Sequence, residues 1–249
     1  MIVVENPQEA SNLMKRVRNT RPPRDESKPH LSILLYCLRK AKHKQQFPKL
    51  WSDGGPFEEQ DESTLKMMLG EDSHILLGGK TDSVKTKEFE GILYTPDDVF
   101  VEEGSSGEKR IVEFKTTAYS AKKTIRDLPQ YLDQLGGYCV AEGTNKGRLV
   151  VIHTRGYYNS KDPITGEVRG WNAVMKVYDV EFHPLELEGW KRELIRRKKV
   201  YESAQSFTNI STDEAWSWEC GYCPLHKSAC EGGGKRVGAF QYFEFKENK

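Results

Sequence analysis

The stretch YTPDDVFVEEGSSGEKRIVEFKTT, residues 94–117, decides how the chain is read. Side chains alternate faces along a strand, so Glu113 and Lys115 point one way while Val112 and Phe114 point the other. Taken alone, a Glu-x-Lys of this kind describes an edge strand with one solvated face. The context is less ordinary. Residues 88–101 also read as a strand, with Pro96-Asp97-Asp98 in it, and Gly104-Ser105-Ser106-Gly107 supplies a hairpin link to 109–116. That hairpin brings Asp97 or Asp98 beside Glu113.

Two carboxylates brought together repel unless a divalent cation neutralises them, and hard oxygen ligands suit Mg²⁺ or Mn²⁺. A lysine two residues on can orient a metal-bound water or offset charge growing on a phosphate oxygen. The set Asp97, Glu113, Lys115 is therefore a candidate site for phosphodiester hydrolysis.

Outward from this stretch, Asp127 is expected to cap a helix with Pro129 in its first turn, running to Glu142-Gly143. Leu128, Leu132, Leu135 and Cys139 make its apolar stripe, while Gln134 and Tyr138, four apart, share another face. The continuous apolar run RLVVIHT (148–154) predicts an interior strand, and WNAVMKVYDVEF a further one. A long helix over 184–205 carries Arg196-Arg197-Lys198-Lys199. Upstream, HLSILLYCLRKAKHK (30–44) spaces Leu31, Leu34, Leu35 and Leu38 as a helix, and STLKMMLGEDSHILLGG (63–79) suggests a second helix entering a strand or turn. Residues 11–24 hold five basic side chains and no acid, a short basic arm. Interleaved helices and strands predict a mixed α/β domain.

Composition narrows the class. The 249 residues hold 38 Lys and Arg against 37 Asp and Glu, a balance that neither demands nor excludes nucleic acid. No apolar run approaches the ~18 residues of a membrane span, and the start MIVVENPQEAS lacks the basic n-region of a secretory signal. No membrane association is expected. Five cysteines, an odd count, suit a reduced cytoplasmic setting better than a disulfide scaffold.

The cysteines carry a second signal. Cys220-x₂-Cys223-x₆-Cys230 is a compact thiolate cluster one ligand short of a tetrahedral site. Cys37, Cys139 and His226 are candidates for the fourth place. Cys139 lies on the apolar helix stripe and reads as a core thiol, whereas Cys37 is available to serve.

Pro96-Asp97 followed by Glu113-Phe114-Lys115 resembles the signature of the PD-(D/E)XK nuclease superfamily. The resemblance implies that the two acids and the backbone carbonyl of Phe114 hold the metal, with Asp98 competing for the Asp97 place because the register is open by one residue. Gln134-x-x-x-Tyr138 just downstream is similar to the RecB-like branch, where the glutamine helps fix the active site and the tyrosine meets DNA. Gly70-Glu71-Asp72-Ser73-His74 lies where that branch carries Gly-x-x-x-His, which implies His74 as a further metal ligand. One early cysteine and a late Cys-x₂-Cys-x₆-Cys around such a core resemble the CRISPR-associated RecB-family exonucleases of the Cas-four type, and AddB-type nuclease domains. There four cysteines hold a [4Fe–4S] cluster that staples the chain ends. The resemblance covers roughly residues 30–232. It departs in the last cysteine spacing, six where five is more usual, and in the roughly thirty residues before the first motif.

The resemblance implies a restriction-endonuclease-like core, a central mixed sheet flanked by helices, with an iron–sulfur subdomain formed by both chain ends. Residues 1–29 would be a basic arm and 30–249 a single nuclease domain, its catalytic core at about 63–183 and its cluster-binding parts at about 30–45 and 205–235. The expected activity is metal-dependent DNA exonuclease, with Mg²⁺ or Mn²⁺ at His74, Asp97, Glu113 and Phe114, and Lys115, Gln134 and Tyr138 completing the catalytic set. Cys37, Cys220, Cys223 and Cys230 would hold the cluster, with structural Zn²⁺ as the alternative. Lys122, Lys123, Arg196 and Arg197 are candidate phosphate contacts. Partners would be single-stranded DNA or DNA ends, and CRISPR adaptation integrase proteins or a helicase. The settings that compete are CRISPR spacer acquisition, repair or recombination, and phage DNA metabolism. The rival from another class is a non-catalytic DNA-binding scaffold with a zinc site.

Overall fold

The computed structural model describes residues 27–51, 86–101, 108–156, 161, 165–167, 173–226, 230–231 and 233–236. In chain order these form helices α1 (Leu31–Leu35) and α2 (Leu38–Gln46), strands β1 (Lys87–Phe89), β2 (Ile92–Tyr94), β3 (Asp98–Val101) and β4 (Lys109–Thr117), helix α3 (Pro129–Glu142), strands β5 (Lys146–His153) and β6 (Val174–Glu181), and helices α4 (Pro184–Ser203) and α5 (Ser217–Gly221). The fold is mixed α/β. Strands β3-β4-β5-β6 make one mixed sheet, and β1-β2 a separate ribbon. The expected basic arm at 11–24, the helix at 63–79 and the Gly104–Gly107 link lie outside the described residues.

β4 is an interior strand, antiparallel to β3 on one side and parallel to β5 on the other. Its parallel neighbour is reached through α3, the crossover that a parallel pair requires. Alternation then sorts the faces. Ile111, Leu149 and Val151 join Leu128, Leu132, Leu135 and Cys139 in the main core, beneath α3. Leu31, Trp190 and Leu194 extend that core from α1 and α4. Val112, Phe114 and Val150 form a smaller apolar cluster on the opposite face. Glu113 and Lys115 therefore lie on the helix-covered face, not on a solvated one as an edge strand would have them.

Three elements differ from their sequence reading. The strand expected over 88–101 is broken: Glu90 (φ 51°) and Gly91 (φ 73°) make a two-residue turn between β1 and β2. Both residues need positive φ there, which glycine adopts without strain. Asp127 does not cap α3. Its carboxylate accepts from the N–H and hydroxyl of Thr124, closing a 3₁₀ turn at Ile125–Asp127, and α3 begins beyond it with Pro129 in its first turn. At the other end Gly143 (φ 67°) terminates the helix in the left-handed conformation.

The helix expected over 30–44 is split at Tyr36–Cys37, although Leu31, Leu34, Leu35 and Leu38 are all buried as the stripe predicts. A break inside a core leaves carbonyls without helical partners. Here side chains from far along the chain supply the donors. Arg197 donates to the Leu34 and Tyr36 carbonyls, while Trp216 Nε1 (3.0 Å) and Arg236 Nη1 donate to Leu35. Arg236 also meets the fully buried Asp133 on α3 at 3.0 Å. No helix among the described residues is long and apolar enough to cross a membrane.

Candidate active site

β3 begins at Asp98, paired with Val112, so Asp97 falls opposite Glu113 just before the ladder starts. The Asp97 carboxylate accepts the Phe114 N–H at 2.8 Å. Asp98 turns elsewhere and accepts from the N–H of Val99 at 2.8 Å. Of the two candidate acids, Asp97 is the one the strand register brings to Glu113.

Glu113 has no exposed surface, and Lys115 Nζ donates to its Oε1. Its Oε2 is buried with no hydrogen-bond partner. Burial pushes the Glu113 carboxyl well above the usual range; Lys115 works against that shift and Asp97 adds to it. Burial also disfavours the Lys115 ammonium, but Glu113 and Asp97 outweigh it and hold Lys115 charged above the ordinary lysine range. Two acids thus converge on one cation in a place without water's dielectric, where a further positive charge would be strongly held.

Gln134 and Tyr138 come to the same place from α3, which is buried along most of its length. Gln134 Nε2 donates to the Tyr138 hydroxyl at 3.0 Å. Burial, and then the Glu113 charge, raise the Tyr138 pKa beyond the phenol range, so the hydroxyl stays protonated. The Tyr138 ring also lies 6.3 Å from that of Tyr94. Tyr36 is a member that the motif reading missed. Burial raises its pKa, the Lys115 ammonium lowers it, and the charges of Glu219 and Glu113 act on it too. Its one sequence signal is its place beside Cys37. His74 lies outside the described residues.

Cys37, Cys220, Cys223 and Cys230 line one cavity of about 420 Å³, together with His226 and Glu219. N–H groups already point at three of the sulfurs: Lys40 N to Cys37 (3.4 Å), Gly234 N to Cys220 (3.2 Å) and Arg39 Nη1 to Cys230 (3.7 Å). Such donors favour thiolates. Gly234 approaches so closely that a Cβ there would collide with the Ala215 and Trp216 carbonyl oxygens. Burial pushes the Cys37 thiol up to about 11, opposed by the Lys40 N–H. Cys139 is apart from the cavity, buried in the core with its Sγ 3.6 Å from the Lys146 carbonyl. Among the described residues no three His, Cys, Asp or Glu side chains are close enough to hold a single metal ion.

The four basic candidates separate into two pairs. Lys122 and Lys123 are exposed just beyond β4, with Lys123 Nζ 5.3 Å from the centre of the Tyr119 ring. Arg197 is only 1% exposed and is committed to Leu34, Tyr36 and Glu214, so it offers nothing to a phosphate. Arg196 pairs with the carboxylates of Glu193 and Glu214. Of the run Arg196 to Lys199, helical geometry turns Arg197 into the core, so the candidate phosphate contact there is corrected.

No family model matches the chain, and no curated protein matches it in sequence. Solved structures to which the chain is similar include two. The crystal structure of SSO0001 superposes with a TM-score of 0.52 at 17% identity, covering 90% of this chain and 96% of that one. A phage-related exonuclease from Haemophilus somnus 129PT overlaps with a TM-score of 0.43 at 13% identity, covering 70% of this chain and 92% of that one. At such identity the likeness to SSO0001 is one of fold.

Proposed function

We propose that the protein is a divalent-metal-dependent deoxyribonuclease of the RecB-like type, hydrolysing phosphodiester bonds from DNA ends. The observation that carries this reading is Glu113: wholly buried, held by Lys115, faced by Asp97, and left with an unpartnered oxygen. A buried acid in that state suits a cation better than any partner among the described residues. Asp97, Glu113 and the Phe114 carbonyl would hold Mg²⁺ or Mn²⁺, with His74 as a fourth ligand. A strand residue's N–H and C=O leave on the same edge, and the Phe114 N–H already points at Asp97. Bound there, the ion would offset charge on the phosphate and lower the pKa of a water. Lys115 keeps its proton and orients the attacking oxygen. Gln134 holds the Tyr138 hydroxyl as a protonated donor toward the strand.

The cavity of four cysteines supports the Cas-four version of the proposal, with end trimming for CRISPR spacer acquisition as its setting; repair and phage metabolism would use the same chemistry. Cys37, Cys220, Cys223 and Cys230 would hold a [4Fe–4S] cluster there, with structural zinc as the alternative on the same thiolates.

The test is degradation of an end-labelled oligonucleotide with Mg²⁺ or Mn²⁺ against EDTA. Glu113→Gln and Lys115→Met should each lower the rate by at least about 10²-fold, with circular dichroism unchanged. A Glu113→Gln protein that cleaves at the wild-type rate would overturn the assignment.

A further inference from the structure

The helix α2, LRKAKHKQQ, carries Arg39, Lys40, Lys42 and Lys44 and no acid. Its cations are not loose. Arg39 lies over the Phe207 ring at 5.8 Å, and Lys40 and Lys44 over the Trp51 ring at 5.5 and 6.0 Å. The aromatic faces hold the charged ends themselves, which are thereby set in place beforehand. Two aromatics four residues apart, Trp218 on α5 and Tyr222 at its end, line the thiol cavity as well. They are 40% and 85% exposed, large apolar surfaces that the fold itself does not bury. The acid lining the same cavity, Glu219, has its oxygens occupied by the N–H groups of Cys37 and Trp216. The cavity lining thus combines exposed aromatics with cations, and its acid is already occupied.

We propose that Trp218, Tyr222, Arg39, Lys40 and Lys44 form a binding surface for single-stranded DNA, which delivers the strand to the site of hydrolysis. This rests on the nuclease reading above and adds the path of its substrate. Unpaired bases stack on aromatic faces while the backbone phosphates meet the cations. A duplex keeps its bases stacked on one another and has no such use for Trp218 and Tyr222. Tyr36 lines the same cavity and feels the Lys115 charge, which ties the surface to the chemistry. Its ring packs edge-on against Trp218 at 6.3 Å and 82°. Neutralisation of the thiols accounts for Arg39, which reaches Cys230, but not for an almost fully exposed Tyr222.

The experiment uses the full chain with its native metal and a fluorescein-labelled thymidine 15-mer, followed by anisotropy without added divalent cation so that nothing is cleaved. Tyr222→Ala and Trp218→Ala should each weaken binding by about tenfold. Lys40→Gln with Lys44→Gln should reduce the slope of log K against log salt by about 1.4. A duplex of the same length should bind more weakly and be indifferent to Tyr222→Ala. Trp218 supports Tyr36, so Tyr222→Ala is the decisive variant, with its melting temperature checked against wild type. If Tyr222→Ala binds within twofold of wild type while wild type cleaves DNA, the surface proposal fails and the nuclease reading stands. If wild-type protein neither binds nor cleaves any DNA, the nuclease reading fails and this proposal with it.

Discussion

Arg197→Met isolates the interaction that lets the first helix break in two. The guanidinium is buried on α4 and donates to the carbonyls of Leu34 and Tyr36 and to Glu214, through both its carboxylate and its backbone oxygen. Burial, and then the neighbouring Arg236 charge, lower its pKa to about 10, so it remains charged at neutral pH. Methionine fills much of the volume but leaves two helix-end carbonyls without this donor and Glu214 with Arg196 in its place. Breaking a buried charged network from one side costs about 3–5 kcal/mol. For a chain of this size, roughly 2–4 °C of melting temperature goes with each kcal/mol, so the expected drop is roughly 6–20 °C. Arg196→Gln, which breaks half-exposed pairs on the same helix, should cost less than about 1 kcal/mol. Arg197→Lys should not rescue, because a single ammonium cannot fan out to acceptors on two separate segments. Urea and thermal unfolding of the three variants decide it. An Arg197→Met protein within about 1 kcal/mol of wild type would show that the carbonyls find other donors and that the break has another cause.

Three further outcomes are expected. Asp97→Asn should abolish metal-dependent cleavage while Asp98→Asn leaves most of it, since only Asp97 faces Glu113; equal losses would move the metal site. Protein purified without air should carry iron and acid-labile sulfide in near-equal amounts, keep them in Cys139→Ser and lose them in Cys37→Ser; one zinc per chain would refute the cluster. His43 is buried, its Nδ1 accepts the Trp51 indole N–H at 3.0 Å, and burial lowers its pKa. The unfolded chain takes up that proton first, so stability should fall as pH drops below about 6.5. His43→Gln should flatten that part of the unfolding profile, and an unchanged slope would refute the assignment.

Local rules alone set a good part of the molecule. Period-two alternation in 109–117 sets Glu113 and Lys115 on one face and Val112 and Phe114 on the other, whatever lies around them. The apolar run within 148–154, short and rich in β-branched residues, marks an interior strand, and it is β5. Pro129 and Gly143 bound α3 because one presets helical φ and the other accepts the left-handed exit. Four-residue spacing puts Gln134 and Tyr138 side by side on any helix.

Tertiary structure decided the rest, because the deciding partners are remote in the chain. Asp97 was separated from Asp98 by where β3 begins against β4, a register that one residue of slip would reverse. The split at Tyr36–Cys37 is tolerated because donors from residues 197, 216 and 236 converge on three successive carbonyls. The same convergence removes Arg197 from the surface, though its neighbours in sequence are all cations. It also places Tyr36 between the cysteine cavity and Lys115, two sites that lie far apart along the chain. Period and propensity act over a few residues, whereas burial and hydrogen-bond partnership are properties of the packed whole.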